Sequence, residues 1–390
     1  CIGGVCPDTC CTGWRVYLDR DTYALYQSVR QEPLRTRIHE CVALGETGDS
    51  SRYGQIVFSA DSATCGLRMT DGLCAIQAEL GEAALSNVCD VFPRMTCQFG
   101  SRVEQSLSFS CPEAIRLALE VPDAMACCEV ELPVRPETII DIPPVAGFDL
   151  HAMKDLRLFA LQLMQTRTIP LLERLGALGW ICSRADELSA ESGQAPEVSA
   201  LLQDSLDLIE SGTIAAYFSG MPDQVGASAN VFSLLLGQLA GKGVSARQRD
   251  VLHQVATGLE LDGTGRAGPA QIERCYRRGR TILDSSATDV DHLLTIFLVN
   301  EILRDVFPWG HGPSLLKSFR RLTISFGTLR LMLAGVAASA GEPLNMQQMA
   351  SVVQVHARLF MHDAAFFERG ERLLVGSECG SMDRLCALLK

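Results

Sequence analysis

Of the sixteen cysteines in this chain, twelve fall within residues 1–128. The opening run reads Cys1-Ile-Gly-Gly-Val-Cys6-Pro-Asp-Thr-Cys10-Cys11-Thr-Gly-Trp14. Glycine and proline between these thiols let one loop fold back and aim several sulfurs at a single centre. A second set follows at Cys65, Cys74, Cys89 and Cys111, and Thr70-Asp71-Gly72 is a turn that brings its first two members together. Soft thiolates select zinc, Cu(I) or iron–sulfur clusters, because polarizable sulfur bonds best to those ions. Two plainer readings stand beside ligation: a disulfide framework, or inert buried thiols. Disulfides suit small secreted domains that lack a core, whereas this chain is 47% hydrophobic over 390 residues. Adjacent pairs such as Cys10–Cys11 and Cys127–Cys128 are also awkward for simple pairing. Ligation by Cys1, Cys6, Cys10, Cys11, Cys65, Cys74, Cys89 and Cys111 is the favoured reading. The spacing does not choose the metal.

Other candidates carry less. Gly263-Thr-Gly265-Arg-Ala-Gly268 satisfies the dinucleotide fingerprint, but a helical pattern precedes it and Pro269 opens another helix. It reads as a polar loop. Arg274, Arg277, Arg278 and Arg280 read as a solvated helix face. His356 and His362 lie six apart, share no helical face and read as structural. Asn300 and Glu301 interrupt an apolar helix, so they mark either an internal hydrogen-bond network, the favoured reading, or a pocket. Trp14, Tyr17 and Tyr23 lie beside the cysteine loop. No residue is assigned a catalytic or cofactor-binding role.

The elements that must position these groups divide the chain in three. Residues 1–120 form a cysteine-rich metal- or cluster-binding module, with helices expected over Thr22–Cys41 and Ala75–Asn87 and short strands at Gln55–Phe58 and Arg102–Phe109. Residues 121–148 carry five prolines and read as an extended linker or strap. From 149 to 390 the pattern is helical, giving an α-helical bundle domain. Leu315, Phe319, Leu322, Phe326, Leu329 and Leu333 share one face. Val290–Val306 has no polar side and is expected to be buried and central. A further helix is expected from Met346 to Arg369. The fold class is mostly α. The net charge of −12 argues against sequence-independent nucleic-acid binding. No uninterrupted apolar run is long enough to span a bilayer, so no membrane is expected. The chain opens on cysteine rather than methionine, so its natural N-terminus is expected upstream.

The run Cys1–Trp14 with Arg15–Tyr23, then Asp71–Gly81, Leu85–Arg94 and Ser106–Glu113, resembles the flagellin lysine-N-methylase family. The eight cysteines of that pattern fall on the eight named above, and Cys41, Cys97, Cys127 and Cys128 lie outside it and read as packing residues. Past residue 120 the likeness is looser, at Asn300-Glu301 and Asp305–Trp309. The resemblance implies a bacterial cytoplasmic enzyme that methylates surface lysines of flagellin. It implies S-adenosylmethionine as methyl donor and a [4Fe–4S] cluster in the cysteine module, with zinc as the alternative. Self-association into a homo-oligomer is left open. Two other classes compete: a non-enzymatic zinc- or iron-binding interaction protein, and an iron–sulfur electron-transfer protein. The C-x3-C-x2-C run of radical S-adenosylmethionine enzymes is absent, since Cys6-x3-Cys10 is followed at once by Cys11.

Overall fold

A computed structural model describes residues 2–45, 49–59, 63–143, 145, 148–193, 196–222, 224–237 and 245–390. The first segment builds a small sheet flanked by short helices: β1 (Val16–Leu18), α1 (Arg20–Ser28), α2 (Leu34–Cys41), β2 (Val42–Leu44), β3 (Gly54–Ile56), α3 (Ala75–Leu80) and α4 (Asn87–Val91). β3 lies in the middle, antiparallel to both β1 and β2. The Asp19 carboxylate caps α1 by accepting from the Thr22 amide at 2.8 Å, a standard N-cap. The single helix expected over Thr22–Cys41 is two helices. Pro33 stands between them and has no backbone donor for the first to continue through. The helix expected over Ala75–Asn87 stops at Leu80, where Gly81 turns to φ 87°, a conformation that favours glycine. Val16, Leu18, Tyr26, Leu34, Ile38, Ile56, Leu67 and Ile76 fill the core of this part.

Next come the hairpin β4 (Arg94–Phe99) and β5 (Arg102–Leu107), α5 (Pro112–Glu120) and β6 (Ile139–Asp141). β6 runs parallel to β4 on the side away from β5, so the sheet order is β5–β4–β6. Cys97, Phe99, Phe109 and Ile115 belong to the same hydrophobic cluster as the helices that follow. Residues 121–135 run between α5 and β6 as turns and extended chain.

The rest is helical: α6 (Leu150–Gln165), α7 (Leu171–Ser192), α8 (Val198–Glu210), α9 (Thr213–Gly220), α10 (Val225–Leu236), α11 (Ala246–Gly258), α12 (Pro269–Asp284), α13 (Ala287–Arg304), α14 (Leu315–Ala340), α15 (Met346–Phe360), α16 (Ala364–Gly376) and α17 (Met382–Leu389). The helix expected over Met346–Arg369 is divided, because Asp363 caps a fresh start by accepting from the Phe366 amide. α13 is buried without a break from 293 to 302, as its apolar pattern required. The protein is mostly helical with a few short strands.

α14 is the axis of the body, packed by α7, α10, α11, α12, α15, α16 and α17. By length and composition it could cross a membrane, yet 83% of its most apolar window is buried inside the protein. Its closest neighbours meet it through glycine. A Cβ at Gly258 of α11 would land on the Gly335 carbonyl, and one at Gly279 of α12 would land on that of Ala334. These backbones touch, so no side chain fits between them. Gly220, at the end of α9, faces open space instead. Replacing Gly258 with Ala should therefore destabilise the fold by about 1–3 kcal/mol through overpacking. Gly220→Ala should leave stability unchanged or raise it by under about 1 kcal/mol. Chemical denaturation of both variants checks the contrast.

Candidate functional site

The cysteine loop folds as its residue types suggest. A tight turn at Gly3–Val5 leads to Cys6. Residues 11–13 then pair with 63–65: the Cys65 amide donates to the Cys11 carbonyl at 2.8 Å, and the Gly13 amide to the Ala63 carbonyl at 3.0 Å. Trp14 donates its indole N–H to the Cys10 carbonyl at 2.6 Å and packs on Phe92. The expected turn at 70–72 is present, closed by the Gly72 amide on the Met69 carbonyl, and an antiparallel bridge joins Arg68 to Cys74. Cys74 is the N-cap of α3, Cys89 sits in the first turns of α4, and Cys111 is the N-cap of α5.

Two neighbourhoods of thiols result. Cys10, Cys11, Cys65, Cys74 and Cys89 lie close enough to act on one another electrostatically. The Cys10 thiol hydrogen-bonds to Cys11 and, with help from Thr9, Arg68 and Arg358, brings the Cys11 thiol down to about 6 against the opposing effect of burial. Burial pushes Cys65 up to about 12 and Cys89 up to about 11. Cys6 and Cys111 form a second neighbourhood with Asp8 and Glu113. Cys1 lies outside the described residues. Every described cysteine is a free thiol, and no group of three or more His, Cys, Asp or Glu among the described residues is arranged to hold a metal ion. The donor chemistry fits a soft metal, and contact with Cys10, Thr9 and the nearby arginines favours the thiolate form at Cys11. The sulfurs are gathered without being closed on one centre.

What fixes the loop is a long-range contact. Asp8 is buried and accepts from Gln354 at 3.0 Å and from Arg358 at 3.1 Å, both on α15. The other arm of Arg358 donates to the carbonyl and hydroxyl of Thr12 at 2.8 and 2.7 Å. Gln354 also donates to the Ser110 carbonyl at 3.1 Å, next to Cys111. One face of α15 thus holds both ends of the cysteine constellation.

A cavity of about 1190 Å³ opens between β5, α5, residues 124–134, α6 and α13. Arg157 of α6, fully buried, donates to Glu104 of β5 and to the carbonyls of Ile302, Leu303 and Phe307. Asn300 of α13 borders the same space and is 3% exposed. Its amide nitrogen donates to the Leu107 carbonyl at 2.8 Å, while its side-chain oxygen has no partner. A smaller cavity of about 360 Å³, lined by residues 118–125, Arg167, His292 and Thr295, shares Ala118, Ala124 and Met125 with the larger one.

The Asn300–Glu301 pair therefore divides between the two readings offered for it. Glu301 belongs to a buried network: Arg304 holds it at 2.9 Å and Asp305 at 2.7 Å, and Arg321 reaches Asp305 at 3.0 Å. Burial raises the Glu301 carboxyl, whereas for Asp305 the opposing cations outweigh burial and hold it below the usual range. Asn300 faces the cavity. The interrupted apolar helix was the available signal for this site; nothing in the spacing pointed to Asp8, Gln354, Arg358 or Arg157.

The remaining candidates settle simply. Tyr23 packs on Tyr53 and Tyr17 under Arg52, so these aromatics and Trp14 take separate partners. Arg274 and Arg278 pair with Glu260, and Arg277 pairs with Glu273, on an exposed face. His356 bonds Thr328 and His362 bonds Ser108 and Ser110, with burial holding them down to about 3 and about 4. Cys41 and Cys97 are core residues as read. Cys127 and Cys128 are exposed, because they ride the irregular chain over the cavity.

The helical body decides the ancestry. Residues 157–388 match the model of the FliB lysine N-methylase C-terminal domain. The chain belongs to the FliB lysine N-methylase family. It is similar, at 36% identity over 129 residues, to proteins named lysine-N-methylase from Salmonella typhimurium strain LT2 and Salmonella choleraesuis strain SC-B67. That match spans 33% of this chain and 32% of each of those proteins. The same identity over 129 residues relates it to the flagellar biosynthetic protein FliU of Salmonella muenchen, covering 76% of that protein. No solved structure matches.

Replacing Arg358 with Ala would leave the buried Asp8 carboxylate with the Thr9 amide and Gln354 as donors but without its guanidinium. The expected cost is about 3 kcal/mol, the scale of a broken buried pair. Arg358→Lys should recover only part of it, because one ammonium cannot reproduce two arms. Urea denaturation of both variants measures this.

Proposed function

We propose that this chain is a protein-lysine N-methyltransferase that uses S-adenosylmethionine to methylate surface lysines of flagellin in the cytoplasm. The family match over residues 157–388 carries the reading, and the printed names of the similar proteins, lysine-N-methylase and a flagellar biosynthetic protein, support it. The donor supplies an electrophilic sulfonium methyl. In the transfer a carbon–sulfur bond breaks, a carbon–nitrogen bond forms, and the nitrogen gives up a proton.

The acceptor amine must reach that methyl unprotonated, although a free lysine has a pKa of about 10.4. Desolvation favours the neutral form of an amine. The cavity offers this through apolar walls such as Phe99, Phe109, Leu158 and Leu161. The unpartnered Asn300 oxygen accepts one amine hydrogen and thereby turns the nitrogen lone pair toward the remaining space. Arg157 holds β5 against α13 and so fixes the distance across the site.

For the cysteine module we propose a [4Fe–4S] cluster or zinc. The thiols of Cys11, Cys65, Cys74 and Cys89, with Cys10, are the neighbourhood that would hold it, and Cys6 and Cys111 with Cys1 a second group. A cluster would supply a redox-active centre and zinc a structural one.

Two measurements test this. Incubation with flagellin and methyl-labelled S-adenosylmethionine should place label on lysine, and an unlabelled flagellin under conditions where the donor is bound would refute the activity. After anaerobic purification, Ala at Cys10, Cys11 or Cys65 should lower the metal content to less than about half. Ala at Cys182 or Cys275, which lie buried among the helices, should leave it unchanged. Equal metal in all five variants would refute the ligand assignment.

A further inference from the structure

We infer that β5 is a docking edge, to which an extended, lysine-bearing protein segment adds as a further strand, with the lysine side chain directed to Asn300. This rests on the lysine-acceptor reading above and names how the acceptor is held.

β5 is the outer strand of its sheet, so among the described residues one of its edges carries no strand partner. In an antiparallel ladder alternate residues turn their backbone groups toward and away from the neighbour. The Leu107 carbonyl is taken by Asn300 on the far side from β4, so Leu107 is an outward residue. Counting back by two, Val103 and Gln105 are outward as well, and both border the cavity. Val103 is half exposed, at 49%. An edge of this kind recognises extended peptide through main-chain hydrogen bonds, whatever the side chains, while nearby groups select the side chains.

Carboxylates and an unmet acceptor lie near this edge. The chain crossing the mouth, residues 121–134, contains Asp123, Glu129 and Glu131 and no lysine or arginine. Within the lining, Arg102 and Arg157 are both engaged by Glu104, and Lys154 of α6 also borders the space. The Asn300 oxygen can only accept, is buried, and has nothing to accept from. Because the other half of its amide is pinned on Leu107, its direction is set. A lysine ammonium or amine supplies the missing donor, and its four methylenes match the apolar walls. At about 1190 Å³ the space also exceeds the range of about 300–1,000 Å³ usual for a small ligand, as a passing chain segment requires.

The test uses the full chain and a fluorescent decapeptide of Thr, Val and Ser with one central lysine, beside a twin carrying norleucine there. Fluorescence anisotropy should show the lysine peptide binding at least about tenfold more tightly, as expected where a buried acceptor would otherwise stay unpaired. Val103→Pro removes an outward donor without touching the ladder to β4, since proline is tolerated on the open side of an edge strand. It should weaken the lysine peptide by at least about threefold, the loss of one hydrogen bond, with an unchanged circular dichroism spectrum and melting temperature. Glu129→Gln with Glu131→Gln should weaken it at low salt and less at high salt.

Equal binding of the two peptides, equal binding by Val103→Pro, or no binding by the parent chain overturns the proposal. So does a dimer of the parent chain that Val103→Pro dissolves, which would make a second copy the occupant of the edge. The enzymatic reading is judged separately. If the parent chain methylates the lysine peptide and Val103→Pro leaves KM unchanged, the docking edge falls and the activity stands. If the peptide docks as described and no methyl group is transferred, the edge stands and the activity falls.

Discussion

One guanidinium organises the middle of this molecule. Arg157 is taken wholly out of water, which is tolerable only if its charge and its donors are met. Glu104 meets the charge, and the carbonyls of Ile302, Leu303 and Phe307 meet the remaining donors. Two of those carbonyls belong to the last turn of α13, where the negative end of the helix dipole favours a cation. A sheet edge, α6 and the end of α13 are thereby tied at one point. One turn further up α13, Asn300 is held at its fixed distance from β5. The cavity owes its floor to this arrangement.

The neighbouring charges extend the same logic. Glu301, Arg304, Asp305 and Arg321 form an alternating chain in which each carboxylate faces at least one guanidinium. Such a set contributes little net energy over apolar packing, but it penalises any other register of α13 against α14. Register matters here because Asn300 and Arg157 work only if α13 is placed correctly along its axis.

Much of the helical body was legible in the sequence because its signals are local. The apolar face running from Leu315 to Leu333 and the missing polar face of Val290–Val306 each report on a helix through its own residues. The failures were also local in cause. Pro33 divides one expected helix, Gly81 ends another, and Asp363 restarts a third. The cysteine spacing raised the expectation of soft-ligand chemistry, and the turn at 70–72 lies where it was read, but the relative positions of the sulfurs depend on the whole fold. Asp8 and Arg358 lie 350 residues apart, and no pattern in the chain links them. The cavity is illegible for a similar reason, since it is a space between five segments; only Asn300, a polar residue in an apolar run, hinted at it. The family match falls on 157–388, whereas the quoted resemblance was densest before residue 115. The cysteine loop announces itself by rare residues, and the body by the accumulated agreement of many ordinary ones.

The backbone contacts of α14 bear on how the protein is made. A ribosome delivers the chain from its N-terminus, and early segments fold before later ones emerge. α7, α10, α11 and α12, which line α14, all precede it in the sequence. The glycine-floored channel is thus synthesised before the helix that occupies it. A helix apolar enough to pass for a membrane span meets part of its receptor as it leaves the ribosome, and α15, α16 and α17 complete its cover afterwards.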